Sequence, residues 1–167
     1  MPKLVCGYTL VEMTIYVSVL LVITFVVVNT TLSFTKSYRE LKTSRLVEHS
    51  ALDAMERMTR DIRGADSVDV ANSTLGTSPG VLTIVSTVNS LSTTTKFYVQ
   101  NNILTMDVNG VYFGPLSLSD ASVTNLTFRR YDSGISESVR IDLTVEASLG
   151  PVTKLKTYHS TIILKGV

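Results

Sequence analysis

The sequence predicts an α+β fold, with one long N-terminal helix packed on a C-terminal antiparallel β-sheet. Three observations predict it. No Pro or Gly interrupts the chain between Tyr8 and Arg63. The first part of that stretch, residues 10–28, is apolar apart from one acid and a few hydroxyl-bearing side chains, and its second part repeats apolar residues at helical spacing. From residue 66 onward the pattern changes to short alternating runs separated by Asn, Gly and Ser.

The apolar stretch comes first. A helix needs about 20 predominantly apolar residues to cross the hydrocarbon core of a bilayer, and residues 10–28 meet that length. The stretch is rich in Val and Ile, which in water would favour a strand. In lipid a lone strand leaves its backbone groups unpaired, so a helix is expected. The single acid is Glu12. A carboxylate inside a membrane helix costs roughly 2.5–3.5 kcal/mol, which makes it a functional candidate. The plainer reading places Glu12 in the first helical turn, where the helix dipole favours an acid.

The residues ahead of this stretch, MPKLVCG, do not make an ordinary secretory signal. Such a signal runs from a basic start through an apolar stretch to a cleavage site. Here the apolar stretch follows the glycine instead. The same order argues against lipid attachment at Cys6, which would need the apolar stretch upstream of it. Gly7-Tyr8-Thr9-Leu10-Val11-Glu12 resembles the signature of type IV prepilins, the family of type IV pilins and of secretion and competence pseudopilins. Lys3 is the one basic side chain of the leader.

The resemblance implies cleavage between Gly7 and Tyr8 by a prepilin peptidase on the cytoplasmic side and N-methylation of Tyr8. It implies a role for Glu12 in setting the register of assembly, by pairing with the terminal amine of a neighbouring subunit. Partners implied are the peptidase, other pilin or pseudopilin subunits, an inner-membrane assembly platform, and membrane lipid before assembly. The expected location is the cytoplasmic membrane, leader inside and C-terminal domain outside, and then an extracytoplasmic filament. The expected organisation is a leader (1–7), a transmembrane and assembly helix (8–30), an amphipathic continuation (31–65) and an extracytoplasmic β domain (66–167).

In the continuation, Val47, Ala51, Ala54, Met55, Met58, Ile62 and Ala65 recur at steps of three and four, the mark of a helix with one buried face. Gly64 is the expected stop. Lys36, Arg39, Lys42 and Arg45 form a basic run at i, i+3 spacing. The run reads as a solvated face partly paired with Glu40 and Glu48, and it lies outside the membrane in this orientation, against the usual bias of positive charge.

In the β domain, 81–85 is a short apolar strand. Segments 96–100 and 103–107 flank Asn101-Asn102 as a tight hairpin, and Asn109-Gly110 marks another turn. Segments 123–131, 138–147 and 154–164 alternate, with Val139, Ile141, Leu143 and Val145 on one face and Arg140, Asp142, Thr144 and Glu146 on the other, as in a half-buried strand. Residues 72–80 and 87–95 are rich in Ser, Thr and Asn and read as loops. The order of elements, with Arg60-Asp61-Ile62-Arg63 at the helix end and the hairpin at 98–104, is similar to the J-class minor pseudopilins and W-class minor pilins.

The chain has 167 residues, a formal net charge of +1, no Trp and one Cys. One domain plus an appendage follows from the length, and the neutral balance gives no ground for nucleic-acid binding. A mature chain beginning at Tyr8 would hold no thiol and fold without a disulfide. No catalytic constellation converges in the sequence. His49 and His159 fall on different elements, and no metal site is expected. Asp66 and Asp69 give only faint support for calcium, and Asp107-Val108-Asn109-Gly110 reads as a turn rather than a calcium loop. The function expected is therefore structural and not enzymatic: a minor subunit of a type IV pilus or pseudopilus, at its tip or in its initiation. The alternatives are an adhesin or DNA-uptake subunit of such a filament, or a plain single-pass membrane-anchored domain.

Overall fold

A computed structural model of the protein describes residues 9–88 and 90–166. One helix, α1 (Leu10–Arg63), precedes eight strands: β1 (Ser67–Val68), β2 (Leu82–Val88), β3 (Leu91–Gln100), β4 (Ile103–Val108), β5 (Val111–Pro115), β6 (Ser122–Asp132), β7 (Glu137–Leu149) and β8 (Val152–Ile163). The fold is α+β, and every strand pairing is antiparallel. The chain divides into two compact units between Arg39 and Glu40, and each is described by itself.

In the C-terminal unit, α1 buries Thr43, Val47, Ser50, Ala51, Ala54, Met55, Met58 and Ile62. The spacing returns to one face each turn, as the apolar periodicity predicts. This face joins Leu82 and Ile84 of β2, Phe97 of β3, Leu104 and Met106 of β4, Phe128 of β6 and Ile141 of β7 in a single core. Fully burying side chains of this size stabilises by about 1.5–3 kcal/mol each relative to exposure. Ala51 and Ala54 are wholly buried. The opposite face carries i, i+4 pairs, Arg57 with Asp61 at 2.9 Å and Arg60 with Glu56 at 2.7 Å.

The helix ends at Arg63. Gly64 donates its amide to Arg60 O, and Ala65 turns tighter onto Ile62 O. Gly64 is not in the left-handed region, so the stop does not depend on its missing Cβ. Ala65 is buried, and its carbonyl accepts the amide of Lys165.

Two sheets are present where one was expected. The first has the order β1-β2-β3-β4-β5 and the second β6-β7-β8. The division falls at residues 116–121. Leu116 donates to Leu104 O, Ser117 Oγ accepts the Leu104 amide at 2.9 Å, and Leu118 donates to Ser50 Oγ of α1 at 3.0 Å. The chain is thereby drawn onto the helix before β6 begins.

The outer edge of β6 is covered in part by the loop at 72–80, through Gly76 N to Phe128 O and Gly80 N to Leu126 O, each 2.8 Å. A Cβ on Gly80 would stand 3.0 Å from Leu126 O and 3.2 Å from the Phe128 ring. Only glycine fits this approach without displacing its neighbours.

The expected hairpins are in place. Asn101 and Asn102 have φ of 52° and 62°, and Asn109 and Gly110 have 52° and 75°, the geometry of two-residue turns with both central residues left-handed. The loop expected at 87–95 is corrected. β2 and β3 run on through it, with Ser86 opposite Thr93 and Thr87 opposite Ser92. Its Thr-rich composition suits a solvated strand pair as well as a loop. The sequence pattern also did not assign β5, which pairs with β4 across a bulge at Met106/Asp107.

Candidate functional site

The N-terminal half of α1 holds the residues of greatest functional interest. Thr9 precedes the helix, and its Oγ1 accepts the amide of Glu12 at 3.3 Å. Thr9 is thus the N-cap and Glu12 the third helical residue, the Thr-x-x-Glu spacing of a capping box. Glu12 therefore lies in the first turn, where the helix dipole favours a carboxylate. Its Oε1 accepts the hydroxyl of Tyr16 at 3.0 Å, one turn further on.

Around Glu12 the surface is apolar and exposed. Leu10, Leu20 and Phe25 expose 81%, 64% and 71% of their area, far from what a water-facing helix would tolerate as a contiguous patch. The polar side chains in this stretch bond within the helix. Thr14 bonds Val11 O at 2.7 Å, Ser18 bonds Thr14 O at 2.7 Å and Thr24 bonds Leu20 O at 2.8 Å. Asn29, Thr30 and Thr31 do the same to the carbonyls four residues back. A hydroxyl satisfied in this way can enter lipid without an orphaned donor. The helix is long and apolar enough to cross a membrane once.

Gly7 and Tyr8, the expected cleavage and methylation positions, and Lys3 lie outside the described residues, as does Cys6. Of the expected site residues, Glu12 alone is described. Tyr16 was not singled out from the sequence. Its signal was available as the i, i+4 spacing from Glu12, which puts two side chains on one helical face.

The basic run at Lys36, Arg39, Lys42 and Arg45 is exposed. The expected pairing of Glu48 with it is corrected, since Glu48 instead binds Lys156 of β8 at 2.9 Å. That hydrogen bond is the leading cause of a raised Lys156 pKa.

On the second sheet, Asp142 and Thr144 are buried, although their face of β7 was expected to be solvated. β7 is the central strand between β6 and β8, and Thr157 of β8 bonds Thr144 at 3.0 Å. Asp142 Oδ1 accepts from His159 at 2.6 Å and from Arg140 at 3.0 Å. Burial alone pushes the Asp142 carboxyl up, but the His159 and Arg140 contacts outweigh it and hold the pKa below the ordinary aspartate range.

His49 is bonded to Asp53 at 2.8 Å on the exposed face of α1, so each histidine has its own carboxylate partner. Asp66 Oδ2 accepts the Thr87 amide at 2.6 Å, and Asp69 accepts the amide and side chain of Asn72. The Asn72 side chain is the main reason the Asp69 pKa is lowered. These carboxylates fasten turns. Among the described residues there is no cluster of three or more metal-ligating side chains.

An open groove of about 920 Å³ runs between α1 and β8, lined by Leu52, Met55, Thr59 and Arg63 of the helix and by Tyr158 and His159 of the strand. Its exposed lining is mainly apolar.

The architecture, a long apolar N-terminal helix whose second half packs on antiparallel sheets, is pilin-like. No family model, no curated protein and no solved structure matches the chain.

Proposed function

We propose that this chain is a minor structural subunit of a type IV pilus or pseudopilus, acting at the tip or in initiation. In this reading a prepilin peptidase cuts between Gly7 and Tyr8, Tyr8 is methylated, and the subunit waits in the cytoplasmic membrane with its C-terminal unit outside. An assembly platform then adds it to the filament through α1.

The observation that supports this most is the place of Glu12. It is the only ionisable acid in residues 10–28 and stands five positions after Gly7, at the head of an exposed apolar helix. A carboxylate is costly there unless it meets a cation. The amine freed at Tyr8 of a neighbouring subunit is such a cation. In a dry filament core their attraction far exceeds its value in water. The apolar residues around Glu12 would supply the burial and Glu12 the register.

The test is incorporation of Glu12→Ala into filaments sheared from cells. The variant should be processed and held in the membrane, yet fall at least about tenfold in the sheared fraction, since leaving a buried amine unpaired costs about 3 kcal/mol or more. Absence of both proteins from the sheared fraction would leave a plain membrane-anchored domain as the better reading, and equal incorporation of both would remove the register role of Glu12.

A further inference from the structure

In a capping box the third-position Glu reaches back to the N-cap amide while the N-cap side chain receives the Glu amide. Here the second half of that exchange is present, Glu12 N to Thr9 Oγ1. The carboxylate meets the Tyr16 hydroxyl, one turn further along the helix. Side chains on a helix lean toward its N-terminus, so a tyrosine four residues on is well placed to reach back. Of the nearby hydroxyls, Thr14 bonds Leu10 and Val11 carbonyls and Ser18 bonds the Thr14 carbonyl. Among the described residues, the Tyr16 hydroxyl donates to the carboxylate.

We propose that Tyr16 is the positioning residue of Glu12. Its phenol O–H holds Oε1 while the helix lies in lipid, lowering the cost of the acid there and fixing its rotamer. Oε1 is engaged by Tyr16, and Oε2 is the oxygen that would receive a cation. The first part stands on the geometry alone. The second part, that the cation belongs to the next subunit, rests on the filament reading above.

The two parts are tested separately. The full chain, with tyrosines carrying carbon-13 at the phenolic carbon, is placed in phosphatidylcholine bilayers and observed by solid-state NMR. The Tyr16 signal is the one that vanishes in Tyr16→Phe. The expected result is that Glu12→Ala moves this signal and leaves the other tyrosines in place. A Tyr16 signal that does not move in Glu12→Ala would overturn the proposal, and this outcome is independent of whether filaments form. Incorporation into sheared filaments is then compared for wild type and Tyr16→Phe. A fall of about threefold is expected, the scale of one side-chain hydrogen bond in a membrane. Unchanged incorporation would overturn the positioning role in assembly. An uncut Gly7 would instead sink the filament reading and leave the NMR result standing.

Discussion

One unbroken helix is written in two chemical languages. Through residues 10–28 its apolar side chains point outward all round, and its hydroxyls bond back to its own carbonyls. Through Thr43 to Ile62 the apolar side chains are confined to one face, and that face is buried. The serines make the contrast concrete. Ser18 bonds the carbonyl of Thr14, four residues back in the same helix. Ser50 is buried and receives the amide of Leu118, 68 residues away. The first half satisfies itself and offers its surface to another apolar phase. The second half is satisfied by the rest of its own unit. Backbone continuity therefore does not mean a shared source of stability. The exposed apolar surface of the first half has the length and composition to cross a membrane.

Thermal or denaturant unfolding of the full chain in detergent can break this contrast or sharpen it. The largest effect is expected in the buried face. Ile62→Ala should destabilise the C-terminal unit by about 2–5 kcal/mol through lost burial and a cavity. Leu20→Ala, the same kind of truncation in the exposed half, should leave that transition in place. If both shifted it equally, the two halves would not be energetically separate. Next in size, Ser50→Ala strands the Leu118 amide and should cost about 1–3 kcal/mol. Ser18→Ala removes a second bond to a carbonyl that the helix already serves, and should leave the transition unmoved.

The smallest expected effect lies in the second sheet and depends on pH. The folded-state pKa of Asp142 is lowered, so its contribution is fully present above the unfolded value of about 3.9. It is lost as pH falls through the lowered folded value. Arg140 and His159 face this carboxylate, and with side chains 40% and 55% exposed they reduce the worth of the cluster to about 1 kcal/mol at neutral pH. Asp142→Asn should lose that amount near neutrality and flatten the acid limb of the stability curve. An unchanged acid limb would assign the acid sensitivity to other groups.

Much of this was legible in the sequence because it rests on periodicity. The buried helix face, the turns at Asn101-Asn102 and Asn109-Gly110, and the buried row Val139, Ile141, Leu143 and Val145 all follow from local patterns. What was missed depends on distant contacts. Nothing local to residues 116–121 says that Ser50 will draw them onto the helix and end the first sheet at β5. Thr87 and Ser92 look like loop residues until they are opposite one another. Asp142 looks solvent-facing until β6 and β8 enclose its strand. At the candidate site, the lone acid and its place after Gly7 were plain, whereas the i, i+4 spacing of Tyr16 acquired a meaning once its hydroxyl was seen to donate to Glu12.

The most direct measurement is the mass and N-terminal sequence of the protein purified from the membranes of its native host. A chain that begins at Tyr8 and carries one added methyl group is the expected result, and would place the protein on the prepilin processing pathway. A chain that still begins at Met1, or one that carries a lipid on Cys6, would contradict the filament reading and leave an ordinary membrane-anchored domain.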